Sequence, residues 1–221
     1  MKRQLDGSIR CPYLDTVQRD RLDFDLELQC SVTLLRHSVY ACLVCGRFFS
    51  GRGPGTPAHT HALESGHRVF VNLTSKTFHC VPDDYEIKEV GFEDIKMAID
   101  PVFSIEKIKQ LETGILAERD GARAEVVSRD VQGRSYVPGF VGMNNLGRTD
   151  WLNSVIHLLL RIAPLRRHLL LGRERAMEGH ASAASRPLEI LKAFGALARK
   201  TCSDSNFRAA RSPMALLQAI S

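Results

Sequence analysis

The sequence holds no run of about 18 or more uncharged apolar residues, which excludes a conventional membrane-spanning helix. Its first ten residues, Met1–Arg10, are polar and lack the apolar stretch of a secretory signal, so no export is expected. After residue 80 cysteine almost disappears, with Cys202 alone remaining of six. In a chain without an export signal those cysteines read as thiols or metal ligands, not as a disulfide framework, and an intracellular location follows. No internal repeat is visible. What is present is ordinary for a soluble globular protein: 221 residues, 44% hydrophobic and 25% charged, long enough for one or two domains with cores of their own.

Charge is unevenly spread. Residues 1–116 carry 14 Lys/Arg against 16 Asp/Glu, whereas residues 117–221 carry 16 against 9, within an overall net charge of +5. A basic second half can meet an acidic partner, either RNA or an acidic protein face, or can simply be a solvated surface.

Cysteine and histidine concentrate in the first 80 residues: Cys11, Cys30, Cys42, Cys45 and Cys80, with His37, His59, His61, His67 and His79. Within this group the spacing Cys42-x2-Cys45-x15-His61-x5-His67 stands out. Two thiolates two residues apart can grip one metal from a tight turn, and two imidazoles on a following segment complete a tetrahedron, the arrangement Zn²⁺ accepts most readily. Four protein ligands leave no open position, so the expected site is one structural zinc. His59 competes with His61 for the third position. Cys11, Cys30 and Cys80 have no second CxxC partner and read either as core cysteines or as ligands helping a second metal site. His37 and His79 read as ordinary polar residues. Glycine-rich punctuation at Gly51–Gly55 and short apolar runs such as Val69-Phe70-Val71 suggest a small α+β fold around a loop-borne metal.

Beyond residue 100 the pattern turns helical. Ser104 is a candidate N-cap for a helix with Ile105, Ile108 and Leu111 on one face. The charged stretch Glu118–Arg134 reads as a connector. Thr149 is placed to cap a helix whose apolar face is Leu152, Val155, Ile156 and Leu159, with Pro164 ending it. A small-residue loop at residues 179–185 follows. Pro187 suits the first turn of a helix bearing Leu188, Leu191 and Phe194, and Ser212-Pro213 opens another with Leu216 and Leu217 inward. The expected domains are 11–100 for the metal module, 101–135 for a helix and charged linker, and 136–221 for a second module.

Two stretches resemble known modules. Cys11-Pro12-Tyr13-Leu14-Asp15, Tyr40–Phe49, Gly51-Arg52-Gly53 and Asp84-Tyr85-Glu86-Ile87 are similar to the UBP-type zinc finger, and look closest to that of the spliceosomal, tri-snRNP-associated Sad-type family of ubiquitin-protease-like proteins. Pro138–Ser154, with Asn144-Asn145-Leu146-Gly147-Arg148-Thr149-Asp150-Trp151, resembles the cysteine box that opens a ubiquitin-specific protease domain. The resemblance covers nearly the whole chain from residue 11. It implies an α+β architecture: a zinc-binding UBP-type finger, then the mostly helical, thumb-like beginning of a papain-like ubiquitin-specific protease domain.

In active members the box sets a cysteine at a helix N-terminus, where the helix dipole and a distant histidine favour the thiolate, and an asparagine five residues earlier stabilises the oxyanion. Here Asn145 matches that asparagine and Asp150 stands at the nucleophile position, so both are degenerate catalytic positions and no catalytic residue is expected. The family's histidine box lies far downstream, and the sequence runs only about 70 residues past Asp150. A full palm-and-fingers fold is therefore not expected in this chain. In ubiquitin-binding fingers an aromatic and an arginine hold the free Gly-Gly tail, and Tyr40 and Arg52 align with them. Against this, Ser50 stands where those fingers have a metal-ligating cysteine, and Pro57 where they have a histidine.

The resemblance implies a non-catalytic scaffold in pre-mRNA splicing, assembling or stabilising the tri-snRNP in the nucleus through contacts with snRNP proteins, with RNA a further partner for the basic half. Two other classes remain open: a ubiquitin-binding adaptor using Tyr40 and Arg52, and a working cysteine deubiquitinase, for which Cys202 is the one thiol outside the finger.

Overall fold

The computed structural model describes residues 11–88, 91–119, 127–173 and 186–221. Residues 120–126 of the charged connector and the small-residue loop at 179–185 lie outside them. The chain divides into two compact units, Met1–Ile99 and Asp100–Ser221. Among the described residues no helix is long and apolar enough to cross a membrane.

The first unit is built on an antiparallel sheet of β1 (Val39–Cys42), β2 (Phe48–Ser50), β3 (Val69–Asn72), β4 (Phe78–Cys80) and β5 (Tyr85–Ile87), in the order β2-β1-β3-β4-β5. All four residues of the interior strand β1 are buried, as a strand covered on both faces requires. Across the register Tyr40 lies opposite Phe49 and Cys42 opposite Phe70. Helix α1 (Pro57–Ser65) adds Ala58 and Ala62, one turn apart, to the cluster of Tyr40, Cys42, Phe49 and Phe70. Pro57 begins α1, and Gly66 ends it in the left-handed conformation at φ +72°, turning the chain back toward β3. Helix α2 (Glu93–Ile99) follows, with Phe92 just before it stacked on Phe78 at 4.7 Å and Arg19 paired to Asp94.

The second unit is mostly helical: α3 (Ile105–Arg119), α4 (Asp150–Arg161), α5 (Ala163–Leu170), α6 (Arg186–Cys202) and α7 (Met214–Ile220). It also holds a hairpin of β6 (Ser128–Arg129) with β7 (Ser135–Tyr136), and a short parallel pair of β8 (Gly142–Met143) with β9 (Ala210–Arg211). The main core joins Leu152, Ile156, Leu160, Leu169, Phe194, Leu197, Ala198 and Leu216. Helix α3 packs inside this unit, through Ile108 against Leu170 and Cys202. Its start is capped as expected, the Ser104 hydroxyl accepting from the Lys107 amide at 3.2 Å. The inward face of α4 is Leu152, Ile156 and Leu160, spaced by four, so Leu160 takes the place expected for Val155, which is 45% exposed. Ile105 likewise points outward, at the first residue of α3. Pro164 falls in the first turn of α5, after α4 has closed at Arg161.

Two buried guanidiniums close helix ends. Arg166 donates to the Leu160 carbonyl at 2.8 Å and Arg199 to the Leu169 carbonyl at 3.0 Å, each in the last turn of a helix whose final carbonyls have no partner within it. Asp100 lies 3.6 Å from Arg199 and partly balances its charge.

Asp130 ties the hairpin to the segment before β9. Its buried carboxylate accepts from the amides of Gln132 and Arg134 at 2.9 Å, from the Arg134 guanidinium at 2.7 Å and from the Ala209 amide at 3.1 Å. Burial works against this charge, but the donors of Arg134 and Gln132 outweigh it and hold the carboxyl below its usual range. A depressed carboxyl contributes stability above its unfolded value, near ~4, and that contribution is lost as pH falls through the folded value. Asp130→Ala, which orphans these donors, should lower stability by about 3 kcal/mol at pH 6 in urea unfolding. The difference from the native chain should shrink at pH 3; an equal difference at both pH values would contradict a stabilising carboxylate.

Candidate metal centre and the loop before α4

Cys42 ends β1 and Cys45 closes the turn that follows, while His61 projects from α1 and His67 lies just past Gly66. The turn demands Gly46 at φ +76°: a Cβ there would sit 2.2 Å from the Arg21 carbonyl oxygen. The four ligand atoms all lie within 4.8 Å of one another. Cys42 Sγ is 3.6 Å from His67 Nδ1, Cys45 Sγ 3.4 Å from His61 Nε2, and His61 Nε2 3.2 Å from His67 Nδ1. A tetrahedron with usual Zn–S and Zn–N bond lengths has S–N edges of roughly 3.5 Å and N–N edges of roughly 3.3 Å. The donor set and its edges therefore fit one structural zinc.

The surroundings prepare these ligands. The hydrogen bond from the Cys42 thiol pulls Cys45 down to about 3, so Cys45 carries the pair's negative charge and Cys42, the donor, is pushed up. Burial lowers His61 and keeps its imidazole neutral, the form that binds metal. Phe49 stacks on the His61 ring at 4.2 Å, and the Ser65 hydroxyl, donating to the His61 carbonyl at 2.6 Å, fixes the last turn of α1. His59, two residues from His61 and so on another face of α1, is not part of the cluster.

Among the described residues this is the one gathering of three or more such ligands. Cys30 nevertheless opens a second turn of the same shape. Leu34 takes φ +59° where Gly46 takes +76°, and the Leu34 amide donates to the Cys30 carbonyl at 3.0 Å as Gly46 does to Cys42 at 2.9 Å. Thr33 stands where the knuckle has its second cysteine, and its hydroxyl meets that of Ser50 at 3.2 Å. Burial opposes the Cys30 thiolate, but the hydroxyls of Ser50 and Thr33 and the amides of Thr33 and Val32 outweigh it and bring the thiol down to about 6. Hydrogen bonds thus do here what a metal does at the other turn. At the far side of the sheet, burial pushes the Cys80 thiol up to about 12, and its sulfur lies 3.6 Å from Asp83.

His79, expected from the sequence to be an ordinary polar residue, lies between Tyr40 and Arg52. His79, on β4, meets the Tyr40 ring edge-on at 5.9 Å and places Nδ1 3.2 Å from Arg52 Nη1. Arg52 also donates to Asp84 at 2.6 Å. Asp84 belongs to the Asp84–Ile87 stretch of the resemblance, but nothing in its spacing pointed to Arg52.

In the second unit Asp150 is the exposed first residue of α4. The Asn145 side-chain oxygen accepts from the amides of Gly147 at 3.2 Å and Thr149 at 3.0 Å, and the Thr149 hydroxyl accepts from the Leu146 amide at 2.8 Å. Thr149 precedes α4 as expected, but its hydroxyl serves this loop and makes no capping bond to the helix. Cys202 is fully enclosed, and burial pushes its thiol up to about 12. His157 is half-buried in the middle of α4, and burial followed by the charge of Arg161 lowers it.

Comparison with known proteins agrees with this picture. The family described as Zn-finger in ubiquitin-hydrolases and other protein matches residues 29–91, so the first unit carries a UBP-type zinc finger. The chain is homologous to human Ubiquitin carboxyl-terminal hydrolase 39, at 38% identity over 96% of this chain and 36% of the relative, and to the Schizosaccharomyces pombe Probable mRNA-splicing protein ubp10, at 37% identity over 94% and 38%. It thus spans little more than a third of the length of these curated relatives. A solved structure described as an essential yeast splicing factor superposes with a TM-score of 0.75 at 30% identity, over 95% of this chain and 48% of that one.

Elemental analysis of the purified chain should find one zinc. Cys45→Ser should lose it, and with it the ordered finger, because the unfolded chain does not organise these ligands. The helical circular dichroism of α4–α7 should persist. A folded Cys45→Ser finger without metal would contradict the assignment.

Proposed function

We propose that the chain is a non-catalytic scaffold in pre-mRNA splicing, working in the nucleus and helping to assemble or stabilise the tri-snRNP through contacts with snRNP proteins. The observation that carries this reading is the homology to proteins named for splicing, extending over more than nine-tenths of this chain. The proposed organisation is a zinc finger at 11–100, a helix and charged linker at 101–135, and the beginning of an inactive ubiquitin-specific-protease-like domain at 136–221.

Several features of the second unit speak against cysteine-protease chemistry. Position 150 holds a carboxylate, whose attack on ubiquitin would form an acid anhydride, far less accessible than a thioester. At a helix start that carboxylate instead complements the dipole, worth roughly 0.3–1 kcal/mol. Asn145, the counterpart of an oxyanion donor, uses its oxygen to hold the turn. Cys202 is sealed from solvent and held as the neutral thiol. In the finger, Cys42, Cys45, His61 and His67 would hold zinc as a four-ligand crosslink without a position for substrate. The metal supplies structure there.

The basic residues 117–221 would face an acidic partner, RNA or protein. Ubiquitin binding through Tyr40 and Arg52 is the second reading, favoured by their proximity across His79.

From nuclear extract the tagged chain should recover tri-snRNP proteins, and Asp150→Ala should recover them equally. Recovery of ubiquitin-chain proteins in their place would overturn the scaffold reading. Neither the native chain nor Asp150→Cys should cleave a ubiquitin–fluorophore substrate. A cysteine at 150 would find no partnered imidazole, since His157 lies about two turns further along the same helix. Turnover by the native chain would refute the non-catalytic assignment.

A further inference from the structure

We infer that two copies of this chain pair through α4, antiparallel about a two-fold axis. Helix α4 is apolar on two faces. Leu152, Ile156 and Leu160 point into the core, while Trp151, Val155, Leu158 and Ile162, the last at the helix cap, make a second stripe at helical spacing. All four residues of this stripe are at least 45% exposed. Val155 also lines a groove of about 420 Å³ with Leu159, Ile190, Leu191 and Ile220. Stripe and groove therefore form one continuous apolar surface on α4, α6 and α7, with room for side chains of another molecule. Contiguous apolar surface of this kind marks an interaction site.

The stripe is self-complementary. Trp151 and Ile162 stand equally far from a midpoint between Ile156 and His157, and so do Val155 and Leu158. A two-fold axis through that midpoint lays α4 antiparallel against its copy. It sets Trp151 on Ile162 of the second copy and Val155 on Leu158 of the second copy, so one patch serves both molecules. Charge agrees with this direction. Asp150 and Arg161 each precede an end residue of the stripe by one, so they share a flank of α4 at its opposite ends. In the antiparallel pair each Asp150 comes to the end of the other helix that holds Arg161, and each helix N-terminus meets a C-terminus. A parallel pair would set like charges together. With one acid and one base, α4 is also electrically balanced within a half of the chain that carries 16 Lys/Arg against 9 Asp/Glu, so pairing there brings no like charge to the contact.

The inference goes beyond the scaffold role and does not depend on it. Sedimentation equilibrium of the zinc-loaded full chain should show monomer and dimer in exchange. The emission of Trp151, the one tryptophan in the chain, should shift to the blue as dimer forms. Leu158→Glu should raise the dimer dissociation constant by roughly a hundredfold and abolish the concentration-dependent shift. Leu158 is the most exposed of the four, so this change spares the core, and zinc content with circular dichroism checks folding. Val32→Glu removes a residue of similar exposure from the finger and should dimerise as the native chain does. Under mild oxidation a mixture of Val155→Cys and Leu158→Cys chains should crosslink between positions 155 and 158, more than either chain alone. A native chain that stays monomeric, its stripe left for a different protein, would overturn the inference. So would dimerisation that survives Leu158→Glu, dimerisation lost equally with Val32→Glu, or crosslinks formed chiefly between like positions.

Discussion

A single tetrahedron of two sulfurs and two nitrogens organises the first unit. Its ligands come from the end of β1, the turn after it, the helix α1 and the segment beyond Gly66, so one metal would pin the sheet, the helix and the return strand together. The apolar cluster beneath α1 is small, drawing on alanines at 58 and 62 and a few aromatics. A core of that size gives limited hydrophobic stabilisation, and a metal crosslink supplies what larger domains obtain from burial. His61 is neutral and Cys45 carries the pair's charge, so zinc binding has only the Cys42 proton to release.

The two turns beginning at Cys42 and Cys30 show how one backbone shape can be held in two ways. At the first, sulfur and imidazole converge on a point suited to a metal. At the second, Thr33 and Ser50 replace thiolates by hydroxyls, and hydrogen bonds to Cys30 and between the hydroxyls keep the loop closed. The second unit needs no such device. Its aliphatic core is extensive, and its buried charges at Arg166, Arg199 and Asp130 are matched to helix ends and loop amides.

Local signals in the sequence carried much of this. The Cys42-x2-Cys45 spacing, with histidines 61 and 67, is a sequence-near pattern, and so were the cap at Ser104 and the prolines at 164 and 187. What escaped were contacts between segments far apart in the chain. His79 and Arg52 are 27 residues apart and meet only because β4 and the loop after β2 lie on one sheet. Val155 and Leu160 exchanged roles because the helical period leaves residues at the edge of an apolar stripe undetermined until α5 and α6 pack against it. Thr149 sat where a cap was expected, yet its hydroxyl was drawn into the Asn145 turn. The choice of His61 over His59, made from the spacing, has its physical reason in α1, which puts the two on different faces.

The account treats the finger as metal-organised and the second unit as held by its own core. Hydrogen exchange on the full chain, metal-free and after one equivalent of zinc, tests this most directly. Zinc should strongly protect the amides of β1, β3 and α1 and leave those of α4, α6 and α7 nearly unchanged. Equal protection of β1 and β3 with and without metal would contradict it.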